Sequence, residues 1–438
     1  MTKTESASRK RASVVRIMVY SHDAFGLGNL RRMLAICEHL LGSWCDLSIL
    51  LVSGSPMIHE FRLPKGLDYI KLPCLNRGVS GQLSAKYLDT SIKDTIALRS
   101  QIIQSAATHF KPDLLLVDKK PSGLKGELTA TLDYLQRSLP QSKCVLLLRD
   151  ILDAPQKTVD EWIRWGYYQT LQTYYDQILV VGMQTVFDLV QEYRLPPTIA
   201  RMVRYCGYIR KRAWDSDHTN LLAQLGLNYT DRLVLVTPGG GEDGYSLINS
   251  YLTELAALQR SDNAANNAAN GNSERDAADA PVFHSVILCG PEMPLAQQVQ
   301  LQQQMTHCPN VTFQSFTQNL FDYLKVADVV VSMSGYNTVT EVLSLQKQAV
   351  VVPRVRPSQE QLIRATRFAR RGWVSMIHPE QESGRSLMQA ILTKLASPQL
   401  APVSDIDFNG LLQVTHCLGE LISPARKSLF SSLIGVLV

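Results

Sequence analysis

No stretch of the 438-residue chain approaches the roughly 18 consecutive apolar residues needed to cross a bilayer, so no spanning helix is expected. The eight cysteines (Cys37, Cys45, Cys74, Cys144, Cys206, Cys289, Cys308 and Cys417) contain no CxxC pair and read as reduced, mostly buried small hydrophobes. The nine histidines contain no HExxH and no His-x-His, so no protein-held metal and no bound cofactor are expected. Charge is nearly balanced, 44 basic against 39 acidic residues, and part of the +5 excess sits at Lys3, Arg9, Lys10 and Arg11. That is too little to argue a nucleic-acid partner. No apolar signal core precedes the first strand-like run, which makes a cytoplasmic location the expectation.

Two nucleotide signatures are missing as well. There is no GxxxxGK[ST], which excludes a nucleoside-triphosphatase loop. Gly26-Leu27-Gly28 follows the first strand, but the third glycine of the dinucleotide fingerprint is not at its offset. Strand two runs out as Leu51-Val52-Ser53-Gly54 without an acidic end, and a nicotinamide dehydrogenase is disfavoured.

What is present is length and a repeated pattern. Apolar residues make up 45% and charged ones 19%, a soluble globular balance, and the length suggests about two to four domains. Strand-like runs at 14–20, 47–52, 114–117, 145–148 and 178–181 alternate with amphipathic stretches such as 92–109 and 158–174. The pattern restarts with strands at 233–236, 282–288, 311–313, 329–331 and 350–352. Such alternation predicts α/β architecture: two tandem Rossmann-like, doubly wound domains facing a cleft. The expected boundaries are a basic tail at 1–13, an N-terminal domain at 14–209, a connection at 210–230, a C-terminal domain at 231–400 and an extension at 401–438. Residues 261–280, rich in Asn, Ala and Asp, read as a disordered surface insertion. The apolar end SLFSSLIGVLV, from Ser428, reads either as a segment packing on the domains or as a shallow membrane-surface contact, which would make the protein peripheral at a membrane.

Three segments carry chemistry. Gly26, Gly28, Asn29 and Arg32 stand at a helix start after strand one, where backbone amides meet anions. Gly239, Gly240 and Gly241 form a glycine run on the first βα turn of the second domain, either a diphosphate cradle or a flexible turn. Third, Ser332-Met333-Ser334-Gly335-Tyr336-Asn337-Thr338 closes a strand and opens a helix. Glu341 lies one turn further on, placed either to accept both hydroxyls of a ribose or only to complement the helix dipole.

This third segment resembles the donor-binding region of glycosyltransferases with the GT-B fold, particularly family 28. Its register is similar to that of plant-type nucleotide-sugar transferases: Gly335-Tyr336-Asn337, Glu341 four residues beyond the Asn, then Glu360-Gln361. Cys289-Gly290-Pro291-Glu292 and Phe316-Thr317-Gln318-Asn319-Leu320 fit the same resemblance. It implies a donor site made of Gly239, Gly240, Gly241, Thr317 (whose backbone would hold a uracil edge), Ser334, Gly335, Tyr336, Asn337, Thr338, Glu341, Glu360 and Gln361. The implied partners are a nucleotide-sugar donor, UDP-linked, and an acceptor hydroxyl of unidentified kind. Met333 stands where plant-type enzymes have a phosphate-binding His, and Asn29 where relatives have the His of Gly-x-Gly-His. Asn29 cannot act as a base. His22, with an ordinary pKa near 6.5, and Asp118, at the end of a strand, are the candidates to replace it, each with a purely structural alternative. Asp150 is a third strand-end carboxylate. A nucleotide-sugar 2-epimerase and a catalytically silent binding protein are the competing readings.

Overall fold

The computed structural model describes residues 14–22, 28–77, 82–210, 218–269, 283–305, 308, 310–317, 319–397 and 403–422, with the backbone alone for 77, 218–220 and 261–269. Strands β1 (Val15–Ser21), β2 (Leu47–Ser53), β3 (Leu67–Lys71), a short hairpin of β4 (Leu75–Arg77) and β5 (Leu83–Ala85), β6 (Leu114–Asp118), β7 (Lys143–Arg149), β8 (Gln177–Val181) and β9 (Val203–Tyr205) build the N-terminal half. Apart from the hairpin they form one parallel sheet of order β3-β2-β1-β6-β7-β8-β9. The second half repeats the plan with β10 (Arg232–Thr237), β11 (Phe283–Leu288), β12 (Val311–Gln314), β13 (Val329–Ser332), β14 (Gln348–Val351) and β15 (Ser375–Met376), in the order β12-β11-β10-β13-β14-β15.

Alternating side chains of each central strand enter different cores. Ile17 and Val19 of β1 belong to one apolar cluster, Met18 and Tyr20 to another. Leu233 and Leu235 of β10 likewise part from Val234 and Val236. Both faces of each sheet are therefore buried, which is why these strands read as continuous apolar runs. The strand order reverses between β1 and β6 and again between β10 and β13. Open α/β sheets bind ligands beyond the carboxyl ends of their strands at such switch points. One apolar cluster runs through the domain interface, joining Leu30 and Met33 to Tyr336, Val339 and Phe368.

Two expectations need correction. The irregular connection at 210–230 contains a short helix, His218–Gln224, whose few apolar residues give no readable period. The insertion read as disordered from 261 is helical in its first nine residues, because the Tyr245–Ala269 helix runs on through them. Elongating an existing helix through alanine-rich sequence costs little. The remainder, 270–280, lies outside the described residues, as do the 1–13 tail and the apolar end from Ser428. Within the 401–438 extension, the described residues 403–422 lie against the N-terminal domain. Tyr208 N–H donates to Asp407 O (2.7 Å) and Gly410 N–H to Tyr208 O (3.0 Å), and the helix Gly410–Leu421 packs back on the N-terminal domain. There Thr415 Oγ1 meets His39 Nδ1 of the Gly28–Ser43 helix at 2.8 Å. Among the described residues no helix is long and apolar enough to cross a membrane.

Candidate active site

The N-terminal side of the cleft lies at the β1/β6 switch point. His22 follows β1 and Asp118 ends β6, and parallel pairing of the two strands brings them together: His22 Nδ1 is 3.6 Å from Asp118 Oδ2. Asp118 is fully buried, and its other oxygen accepts from Arg32 at 2.7 Å. Arg32 also donates to Asn29 Oδ1 at 2.9 Å. Arg32 is thus committed inward and does not project toward an acceptor, contrary to its placement in an anion-binding loop. Burial pushes the His22 pKa down to about 3. Asp118 opposes this, but Lys119, Lys120 and Arg32 add to it. The ordinary value near 6.5 expected for His22 does not hold, because the imidazole is desolvated among cations.

On the C-terminal side, the glycine turn after β10 meets the start of the helix Tyr336–Ser344 after β13. A β-carbon on Gly239 would lie 3.7 Å from Thr338 Oγ1. The three glycines have different duties. Gly241, with φ +98°, packs backbone to backbone against the end of β11, where a β-carbon would come within 2.3 Å of Cys289 O. Gly290 faces the turn in return, and Glu292 N–H donates to Gly240 O at 2.9 Å. Gly240 is exposed, and a β-carbon there meets nothing within 4 Å. Ser334 is fully buried in a left-handed conformation (φ 60°), and its hydroxyl has no hydrogen-bond partner among the described residues. Met333 points into the domain core, not into the cleft.

The two sides touch. Asn337 Nδ2 donates to Gly28 O at 2.8 Å across the cleft. Glu341 is buried and lines a small, partly open cavity with Arg31, Arg32 and Asn337. Burial lowers the Arg31 pKa and the Glu341 carboxylate partly restores it. The Tyr336 ring has the guanidinium groups of Arg32 and Arg364 at 5.8 and 5.7 Å from its centroid. Arg364 is the hub of the interface. It donates from Nε and Nη2 to the two oxygens of Asp150 (2.8 and 2.7 Å) and from Nη1 to Ser334 O (3.0 Å), and it pairs with Glu360 at 2.6 Å. Glu360 also faces Arg149 at 3.3 Å. Burial would raise the Glu360 pKa, but Arg149, Arg364 and Arg354 outweigh it and hold it at about 2.

Most of the sequence-derived residues therefore gather at one cleft: His22, Asp118, Gly28 and Asn29 on one wall, Gly239, Gly240, Gly241, Ser334, Gly335, Tyr336, Asn337, Thr338 and Glu341 on the other. Gly26 lies outside the described residues. Thr317 is half-buried, and its hydroxyl accepts from Asn319 N–H at 3.0 Å. Gln361 Oε1 accepts from Arg354 N–H at 3.1 Å, so in this conformation Glu360 and Gln361 face protein partners. Sequence reasoning missed Lys119, Arg149 and Arg364. The available signal was positional: two of them sit at carboxyl ends of strands, and Arg364 is one helical turn beyond Glu360.

Two facing doubly wound domains, with a C-terminal helix that returns to the first, define the GT-B class of fold. Residues 252–409 match the glycosyltransferase family 28 C-terminal domain. A UDP-N-acetylglucosamine–N-acetylmuramyl-(pentapeptide) pyrophosphoryl-undecaprenol N-acetylglucosamine transferase of Bacillus cereus is 33% identical over 72 residues, which is 16% of this chain and 20% of that protein. The matched stretch thus spans about a fifth of this curated relative. Among solved structures, the kitacinnamycin glycotransferase superposes with a TM-score of 0.59 at 13% identity, covering 94% of this chain and all of its own. A putative UDP-N-acetylglucosamine 2-epimerase from Listeria monocytogenes gives 0.58 at 12% identity, covering 94% and 98%. At such identities the likeness is one of fold.

Proposed function

We propose that the protein is a glycosyltransferase that moves a sugar from a nucleoside-diphosphate sugar, UDP-linked, to an acceptor hydroxyl held by the N-terminal domain. The observation that carries this reading is the meeting of two switch points: Asn337, at the start of the Tyr336–Ser344 helix, donates to Gly28 O, and Arg32, which holds Asp118, lies over the Tyr336 ring. The donor diphosphate would lie on the Gly240 turn and the amides at the start of the Tyr336–Ser344 helix. Backbone N–H groups would there receive the leaving-group charge without a metal. Ribose hydroxyls would replace Arg31 as partners of Glu341.

In the transfer step the acceptor oxygen attacks the anomeric carbon, its proton passes to His22 Nε2, and UDP departs. Asp118 beside Nδ1 favours the tautomer that leaves Nε2 free to accept. The low pKa keeps His22 neutral throughout the physiological range, as a base must be, but makes it a weak one. The imidazolium formed during transfer would depend on Asp118 and on the departing diphosphate for stabilisation. The cleft carboxylates Asp118, Asp150 and Glu360 are each already engaged by an arginine, which speaks against an epimerase needing free carboxylates around the sugar. Product analysis with a panel of UDP-sugars and candidate acceptors separates the readings. Transfer with UDP release supports this one, epimer without transfer supports the alternative, and binding alone leaves a silent binder.

A further inference from the structure

Arg31 projects from the helix Gly28–Ser43 of the N-terminal domain into the half of the cleft assigned to the donor. Arg31 Cζ stands 5.8 Å from the centroid of the Phe316 ring, which follows β12 and adjoins Thr317. Arg31 also lines one small cavity with Asn337, Thr340 and Glu341 of the helix after β13, and it feels the charge of the Glu341 carboxylate. A half-buried cation of one domain thus bridges two elements of the other. They are the elements read as holding a nucleoside: the Phe316–Thr317 turn for the base, and Glu341 for the ribose.

The free space there is about 10 Å³, the room of a single water at most and far too little for a ribose. The helix that carries Arg31 is pinned at its start. Gly28 O accepts from Asn337 Nδ2 at 2.8 Å, and the neighbouring Arg32 is bound to the buried Asp118 at 2.7 Å and to Asn29 Oδ1 at 2.9 Å. Entry of a nucleoside therefore falls on the Arg31 side chain, which must leave while its helix stays. The groups it contacts are an aromatic face and a carboxylate, the same two kinds of group that a base and a ribose would use. The Gly240 turn and the amides at the start of the Tyr336–Ser344 helix, read as the diphosphate site, are not among its contacts.

We propose that Arg31 is a built-in competitor for the nucleoside of the donor: in the ligand-free protein its guanidinium occupies the gap between Phe316 and Glu341, and donor binding displaces it. This rests on the reading of the C-terminal side as a nucleotide-sugar site. Because the competitor grows from the helix that also holds Arg32 against Asp118, filling the donor site is felt on the acceptor side beside His22. The contrasting role for the same side chain is an ordinary phosphate ligand, which stays in place and attracts the diphosphate.

Calorimetric titration of uridine and of UDP into the full chain and into Arg31→Ala separates the two. Alanine is the best helix former, so the substitution suits the helix that carries it. A cation–π contact and a solvent-reached ion pair are each worth a few-fold in affinity, and both are lost. Uridine should therefore bind about five- to thirtyfold tighter to the variant than to the wild type, and UDP should gain as well. Arg31→Gln, which keeps most of the length without the charge, should show a smaller gain in the same direction. Uridine affinity unmoved by either substitution overturns the proposal. Weaker UDP with unchanged uridine also overturns it and marks Arg31 as a phosphate ligand. A wild type that binds UDP and an Arg31→Ala variant that binds it no better strikes the proposal alone, whereas a failure of UDP and uridine to bind any of the three chains strikes the donor reading with it.

Discussion

Replacing Arg364 by Met keeps most of the side-chain stem and removes the charge that joins the domains. Arg364 and Asp150 are both essentially inaccessible to solvent and share two hydrogen bonds. Without the guanidinium, Asp150 keeps the Ile151 N–H at 2.7 Å as a local donor, and Glu360 keeps Arg149 at 3.3 Å. Removing one partner of a buried pair costs about 3 to 5 kcal/mol, mostly because the other charge stays desolvated. Here that cost has an escape, since the domains can part and rehydrate Asp150 without either sheet unfolding. The expected result of Arg364→Met is a loss of about 3 kcal/mol in chemical denaturation together with a larger radius of gyration in small-angle X-ray scattering. In the double variant with Asp150→Asn the loss should be clearly less than the sum of the singles. A cost under about 1 kcal/mol with unchanged scattering would refute the reasoning.

Other consequences can be checked separately. Gly240→Val should leave the melting temperature unchanged and weaken UDP much more than uridine, while Gly241→Ala, forced against Cys289 O, should lower the melting temperature itself. Glu341→Ala should weaken UDP by roughly 1 to 3 kcal/mol in calorimetry, the cost of unpaired polar groups in a desolvated site. His22 stays neutral in the folded protein down to about pH 3, whereas in the unfolded chain it takes a proton as pH falls below 6.5. The unfolded state then binds more protons, so stability should drop by about 2 kcal/mol between pH 7 and pH 5, and His22→Asn should flatten that slope in denaturant titrations. Glu360, held at about 2 against an ordinary value of 4.5, adds only about 0.2 kcal/mol to that loss within this window.

The sheets were legible in the sequence because strands buried on both faces leave uninterrupted apolar runs, as at Val15–Ser21 and Arg232–Thr237. Strands exposed to solvent or very short, such as Leu67–Lys71 and Ser375–Met376, leave no such run and were not read. The cleft residues were legible where glycines or a strand-to-helix junction marked them. What could not be read was pairing across the interface. Nothing in one dimension says that Arg364 meets Asp150, 214 residues away, or that Arg32 turns inward to Asp118. The fall of the His22 pKa is equally tertiary, since burial and three cations produce it. The 261–269 stretch misled because composition favouring disorder also favours extending a helix that already exists.

Titration of UDP into the full-length chain tests the central claim most directly. Saturable binding of one UDP per chain, reduced in Glu341→Ala and in Gly240→Val, is the expected result. No binding of UDP or of any other nucleoside diphosphate or its sugar, or UDP binding indifferent to both substitutions, would contradict the assignment of this cleft to a nucleotide-sugar donor.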